Sequence, residues 1–175
     1  MKLEAINRLY HGSSVEFKDI DLSFAKPYKD YGNGYYLTSN LSQAQQWAQK
    51  KGSLKCYIYA YQVNKNEMNG LNILELLNYD EEWVNIITKS RIDGEYPDYD
   101  IIYDRIADNR YQDISEILIK YKNKSVPFTS VIDKIKWNKD KGDQFCFRSK
   151  SSLKCLELIQ KFDFKKEDGI WKMEA

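Results

Sequence analysis

The chain has 175 residues, a length that normally forms one domain with room for a full core and a ligand cleft. Its 27 basic and 26 acidic residues nearly cancel, which excludes the strong overall field of a general nucleic-acid or anionic-membrane binder. No window approaches the ~20 apolar residues that cross a bilayer, and the cysteines form no metal or disulfide pattern, so we expect one cytoplasmic domain over residues 1–175, without membrane segment or metal.

The first half of the chain predicts two short strands, a helix and a longer strand. Residues 8–10 and 34–38 are short apolar stretches beside turn-rich sequence, which is typical of strands. Asn40 or Ser39 can cap a helix that continues to about residue 50, because its apolar residues fall near one face. Residues 56–63 are rich in aromatic and β-branched side chains and predict a strand.

The second half mixes predicted helices with short strands. Apolar residues at intervals of three and four predict four helices, over residues 80–90, 113–122, 128–137 and 151–162. Residues 100–103 and 144–148 are typical of strands, and a hairpin around Asp168 and Gly169 follows. These elements do not alternate as regular βαβ units, so we predict an α+β fold of two small sheets.

Three fragments of the chain carry candidate functional residues. His11 is the only histidine and precedes Gly12, so its imidazole can lie where backbone approaches a ligand, although a lone histidine is more often structural. Tyr36 and Trp47 can enclose a flat heteroaromatic ring, although most such pairs belong to a core. The third fragment is Asp143-Gln144-Phe145.

These fragments resemble, in the same order, the motifs of ADP-ribosyltransferases of the diphtheria-toxin and poly-ADP-ribose-polymerase branch. Tyr10-His11-Gly12-Ser13 is similar to the His-Gly strand that opens that branch. The stretch from Tyr31 to Thr38 is similar to its second motif, and Trp47 lies 11 residues after Tyr36, where the branch carries a second stacking aromatic residue.

A closer resemblance is to a bacterial family of unknown function in the same superfamily. It extends from Leu9 to about Leu158 and rests on additional fragments, Asp30-Tyr31-Gly32, Ala44-Gln45-Gln46-Trp47-Ala48 and Tyr99-Asp100-Ile101-Ile102. The resemblance implies an ADP-ribosyltransferase-like fold, with two small, mostly antiparallel sheets around an NAD cleft and flanking helices.

The resemblance also implies roles for individual residues. The Gly12 backbone would bind the nicotinamide carboxamide, Tyr36 and Trp47 would stack on its ring, and His11 would hold a ribose hydroxyl. Ser13, Gly34 and Ala44 complete the residues expected to bind NAD. His11, Tyr36 and Gln144 form the expected catalytic set, with Gln144 where the branch carries a glutamate.

An amide at position 144 keeps a hydrogen bond but lacks the unit charge, a loss that commonly costs ~3–4 kcal/mol of barrier. Asp143 should face the opposite side of its strand, and Asp104 or Asp108 could supply a carboxylate instead. A basic segment over residues 26–29 could cover the pyrophosphate, although solvated surface lysines are the simpler interpretation. The loop over residues 137–142 takes the place of the acceptor-specifying loop.

The hypothesis is therefore an NAD-dependent mono-ADP-ribosyltransferase that modifies a protein or nucleic acid, as a bacterial toxin or defence protein. An antitoxin or other inhibitory protein is a further expected partner, and NAD glycohydrolysis is the variant reaction. Two alternatives stay open. The chain could be a weakly active or inactive module that binds NAD or ADP-ribose, or a structural protein that retains only the fold.

Overall fold

The computed structural model describes residues 2–24, 29–107, 114–136 and 142–174. Within these ranges there are eight strands: β1 Arg8–Ser13, β2 Tyr35–Leu37, β3 Lys55–Val63, β4 Ile73–Leu76, β5 Ile101–Arg105, β6 Asp143–Phe147, β7 Leu156–Glu167 and β8 Ile170–Met173. The described α-helices are α1 Leu41–Lys51, α2 Glu81–Thr88, α3 Ile114–Lys122, α4 Phe128–Ile135 and α5 Lys150–Leu153. Predictions on residues 26–28, Asp108 and residues 137–141 lie outside the described ranges.

The strands form two four-stranded sheets, ordered β1-β3-β7-β8 and β2-β6-β5-β4. The first sheet is antiparallel throughout, and in the second only the pair of β4 and β5 is parallel. The prediction of an α+β fold with two small, mostly antiparallel sheets is confirmed.

Strand alternation separates three layers of core. Leu9, Leu37 and Phe145 belong to the layer that fills the space between the two sheets. The opposite face of the second sheet packs on α2, α3 and α4 through Ile102, Cys146 and their neighbours. The opposite face of the first sheet packs on α1 through Ala44, Ala48, Cys56 and Ile58. Neighbouring residues of one strand therefore face different layers.

Local sequence signals explain where several elements begin and turn. The Asn40 side chain accepts a hydrogen bond from the Gln43 backbone N–H and caps α1, as predicted. Asp80 caps α2 in the same way, through the Trp83 backbone N–H. Asp168 and Gly169 both have positive φ, 50° and 80°, as in a type I′ turn, and Glu167 pairs with Ile170, so the predicted hairpin is confirmed.

The predicted helix over residues 151–162 is wrong. Only Lys150–Leu153 is helical, and the chain then enters β7, which pairs with β3 along nine residue pairs. A register shift opposite Ala60 and Tyr61 interrupts the alternation of β7, so its apolar residues do not follow a period of two. β4, which the sequence pattern did not predict, is held by β5 beside it.

The described part of the chain contains no helix that is both long and apolar enough to span a membrane.

Candidate functional site

The two sheets meet where β1 runs beside β2. Tyr10 and Thr38 exchange two backbone hydrogen bonds, of 2.8 Å from Tyr10 N and 2.9 Å from Thr38 N. One residue further along β1, a side chain connects the two strands instead, because His11 Nδ1 lies 2.7 Å from the Tyr36 carbonyl oxygen. We call this junction, formed by Tyr10, His11, Tyr36 and Thr38, the corner.

The hydrogen bond to Tyr36 determines the proton arrangement of His11. A carbonyl oxygen only accepts, so Nδ1 carries the proton and donates it. Burial lowers the pKa of His11 from 6.5 to about 4, and the ring is therefore neutral at pH 7. Nε2 is then an unprotonated acceptor, and no described residue donates a hydrogen bond to it.

Aromatic side chains hold the imidazole in this orientation. The ring stacks on Tyr35 with centroids 4.3 Å apart and planes 25° apart. Phe17 contacts it edge-on at 5.8 Å, and Phe17 itself stacks on Tyr59 at 4.0 Å. The ring that stacks on His11 is thus that of Tyr35, whereas Tyr36 binds it through the backbone.

Gly12 lies where α1 crosses β1. A Cβ atom at this position would stand 2.0 Å from the Ala44 carbonyl oxygen and 3.0 Å from the Ala48 backbone nitrogen. Glycine is therefore required for α1 to pack this closely. Ala44 is fully buried in this contact, and its contribution to NAD binding stays a prediction.

Trp47 lies on α1 beside Ala48 and is half-buried. Among the described residues, no aromatic contact joins Trp47 to Tyr36. Ser13, at the end of β1, uses its hydroxyl within its own turn, where it donates to the Val15 carbonyl oxygen at 2.7 Å. The sandwich of Tyr36 and Trp47 around a ligand and the binding role of Ser13 stay predictions.

Tyr36 turns its side chain to the helix-covered face of the second sheet. Its hydroxyl donates to the Gly32 carbonyl oxygen at 2.8 Å and accepts from the Tyr31 backbone N–H at 3.2 Å. Burial raises the pKa of this phenol above its usual range, so it stays protonated. A Cβ on Gly34 would lie 2.3 Å from the Cys146 sulfur. The turn therefore packs too closely on β6 for any residue other than glycine at this position.

Gln144 lies on the same face as Tyr36, in a buried polar cluster that we call the carboxylate cluster: Asp30, Asp104, Gln144, Tyr31, Trp83 and Arg91. Gln144 Nε2 is 2.9 Å from Asp30 Oδ2 and 3.3 Å from Asp104 Oδ2. Asp30 also forms an ion pair with Arg91. The sequence prediction of Gln144 as a functional residue did not include these partners, although Asp30-Tyr31-Gly32 belonged to the motif that it used.

Asp104 is fully buried within the carboxylate cluster. Its Oδ2 atom accepts hydrogen bonds from the Tyr31 hydroxyl at 2.5 Å and from Trp83 Nε1 at 3.2 Å. Its Oδ1 atom is buried without a hydrogen-bond partner among the described residues. Burial and the nearby Asp30 carboxylate raise the pKa of Asp104 well above its usual value.

Asp143 faces the opposite way from Gln144, as strand alternation predicts. Its Oδ1 atom accepts from the Thr38 hydroxyl at 2.7 Å and from the Ser39 backbone N–H at 2.9 Å, and Oδ2 accepts from the Ser39 hydroxyl at 2.5 Å. Asp143 therefore connects β6 to the segment between β2 and α1.

The structure brings the predicted residues together in two groups. His11 and the Tyr36 backbone meet at the corner, and Gly12 and Ala44 lie next to it, where α1 crosses β1. The Tyr36 side chain and Gln144 share the outer face of the second sheet, because Tyr36 is paired with Cys146, two residues along β6 from Gln144. The backbone of Tyr36 belongs to the first group and its ring to the second.

Residues 7–158 match the model of a family described as "Protein of unknown function (DUF3990)". Since this match spans most of the chain, the chain belongs to that family. No curated protein and no solved structure matches the chain.

Proposed function

We propose that this member of the DUF3990 family binds NAD in an ADP-ribosyltransferase-like fold and transfers the ADP-ribose moiety to a macromolecular acceptor. The observation that carries the proposal is the state of His11 at the corner. A neutral imidazole, fixed through Nδ1, leaves Nε2 as an acceptor without a described partner. A ribose hydroxyl is a hydrogen-bond donor of the kind that such a nitrogen accepts.

The surroundings of His11 support a flat ligand next to a sugar. Gly12 has no side chain, and its backbone lies beside α1, which carries the half-buried indole of Trp47. Tyr36 lies on the strand that His11 contacts, and its half-buried ring points to the helix-covered face of the second sheet. A nicotinamide ring would take up stacking contacts with these two aromatic side chains, and the Gly12 backbone would bind its carboxamide.

In the proposed reaction, the bond between nicotinamide and the ribose anomeric carbon breaks, and the electron pair leaves with neutral nicotinamide. A nucleophile on the acceptor then bonds to the anomeric carbon and loses its proton. With water as nucleophile, the products are ADP-ribose and nicotinamide. Preorganised dipoles stabilise the positive charge that develops on the ribose, and Gln144 would contribute such a dipole.

Calorimetry with NAD tests the binding site. We expect the wild-type protein to bind NAD, and His11→Ala and Trp47→Ala to weaken binding at least roughly 10-fold through the lost hydrogen bond or stacking contact. Trp171→Ala is the matched control, because Trp171 is a half-buried indole of β8 that packs beside the C-terminal end of α1 and has no proposed contact with NAD. An absence of NAD binding by the wild-type protein would overturn the proposal.

Turnover is tested separately, with NAD labelled on its adenylate and a cell lysate as acceptor. Transfer should appear as label on macromolecules, and digestion with protease or nuclease distinguishes a protein acceptor from a nucleic acid. Release of nicotinamide without any labelled macromolecule would indicate NAD glycohydrolysis.

The second candidate is a module that binds NAD or an ADP-ribosyl group without turnover. The uncharged side chain of Gln144 favours it, because an amide offsets positive charge on the ribose less than a carboxylate does. This candidate predicts calorimetric binding that is lost in His11→Ala, with no release of nicotinamide. A measurable turnover that disappears in Gln144→Ala would exclude it.

A further inference from the structure

The orientation of the Gln144 amide follows from its two carboxylate neighbours. Asp30 Oδ2 and Asp104 Oδ2 both lie within hydrogen-bond distance of the same nitrogen, at 2.9 and 3.3 Å. The amide nitrogen has two N–H groups, one for each carboxylate, whereas its oxygen would meet two acceptors. Oε1 therefore points away from the carboxylates, and no described residue donates a hydrogen bond to it.

The two carboxylates are themselves held in place. Arg91 Nε donates to Asp30 Oδ1 at 2.6 Å, which leaves Oδ2 for Gln144. The Tyr31 hydroxyl and Trp83 Nε1 both donate to Asp104 Oδ2, and all three residues are buried. Gln144 is 6% exposed, so its side chain has little freedom to turn over.

We propose that Asp30 and Asp104 are positioning residues, which hold the Gln144 amide with Oε1 toward the ribose of bound NAD. This inference rests on the proposed function and deepens it, because it names the atom that faces the substrate. In place of the carboxylate that the resemblance implies at position 144, the protein has an amide oxygen. The nitrogen of the same amide donates hydrogen bonds to Asp30 and Asp104.

The hydrogen-bond pattern makes a specific prediction for a glutamate at this position. In Gln144→Glu, a carboxylate would meet Asp30 Oδ2 and Asp104 Oδ2 in a buried site, without an N–H group between them. Changing Asp30→Asn in the same protein would reverse one of these bonds. The new amide can accept from Arg91 through its oxygen and donate to Glu at 144 through its nitrogen.

The experiment compares the wild-type protein with Gln144→Glu, Asp30→Asn and the double variant, each measured for unfolding by urea, NAD binding and nicotinamide release. We expect Gln144→Glu alone to lower the folding equilibrium constant at least roughly 10-fold, and the double variant to recover most of that loss. In the double variant, kcat for nicotinamide release should rise roughly 10²-fold with little change in KM, because one oxygen of the new carboxylate faces the ribose.

Gln43→Glu is the matched control for the substitution itself. Gln43 is also a glutamine whose Nε2 atom donates to an oxygen, the Asp143 carbonyl at 2.8 Å, but it lies on α1 outside the carboxylate cluster. Asp30→Asn should not restore any stability that Gln43→Glu loses. Equal rescue of both variants would overturn the positioning role, since the effect of Asp30 would then be general.

The readouts separate the two proposals. The stability comparison needs no NAD, so an absence of coupling between positions 30 and 144 overturns the positioning role whatever the protein binds. Coupling without NAD binding by any variant overturns the proposed function, and with it the assignment of Oε1 to ribose. A third outcome is that positions 30 and 144 are coupled in stability and the protein binds NAD, but kcat does not change. This outcome would show that the amide does not face the reacting ribose, and it would overturn the inference without affecting the proposed function.

Discussion

The pKa of His11 makes folding stability depend on pH in a calculable way. Burial lowers this pKa from 6.5 in the unfolded chain to about 4 in the folded protein. Between these two values the folded state binds fewer protons than the unfolded state, so stability falls as pH falls. This destabilisation is small above pH 6.5 and is nearly complete at about pH 4. Between pH 7 and pH 5, the two pKa values imply a loss of about 2 kcal/mol.

Urea denaturation of the wild-type protein and His11→Gln at pH 7 and pH 5 measures this contribution. Glutamine does not titrate, and its amide can still donate to the Tyr36 carbonyl oxygen. The other titrating groups are the same in both proteins, so the difference between the two pH dependences isolates the contribution of His11. We expect the unfolding free energy of the wild-type protein to fall about 2 kcal/mol further than that of the variant. Equal losses in the two proteins would refute the neutral imidazole on which the proposed ribose contact depends.

Four substitutions test the packing around the corner and the carboxylate cluster by the same urea measurement. Gly12→Ala places a Cβ 2.0 Å from the Ala44 carbonyl oxygen, so α1 must move, and we expect a loss of at least about 2 kcal/mol; a loss below about 0.5 kcal/mol would contradict the close crossing. Tyr31→Phe removes the hydroxyl that donates to buried Asp104, with an expected cost of about 1–3 kcal/mol, and an unchanged stability would mean that this bond contributes nothing. Asp143→Ala leaves the buried Thr38 hydroxyl without its acceptor, and should cost more than Ser39→Ala, because Ser39 is an exposed residue; the reverse order would refute the assignment.

Much of the fold follows from local sequence. Asn40 begins α1 through its own side chain, and the aromatic and β-branched residues of β3 form the strand that they predict. The Asp168-Gly169 turn also forms as predicted, since two residues with positive φ join β7 to β8. In each case the residues that decide the structure are neighbours along the chain.

β7 shows why local sequence is not sufficient. Its apolar residues follow intervals typical of a helix, yet pairing with β3 makes the segment a strand. Much of β7 is exposed, including Leu158 and Ile159, so side-chain burial does not impose a clear alternation on it. The open hydrogen-bonding edge of β3 decides the outcome, and that edge comes from residues about a hundred positions away along the chain.

The sequence by itself determined which residues deserved attention: the lone histidine beside a glycine, the aromatic residues that follow, and the glutamine in the third fragment. Only the tertiary structure decided that the His11 ring contacts Tyr35, that Gly12 is required by α1, and that Gln144 is bound by Asp30 and Asp104. The physical reason is that hydrogen bonds and pKa values depend on distances of a few ångströms between residues far apart in sequence. Asp30 and Gln144 are 114 positions apart, and only the packing of a turn on the second sheet brings them to 2.9 Å.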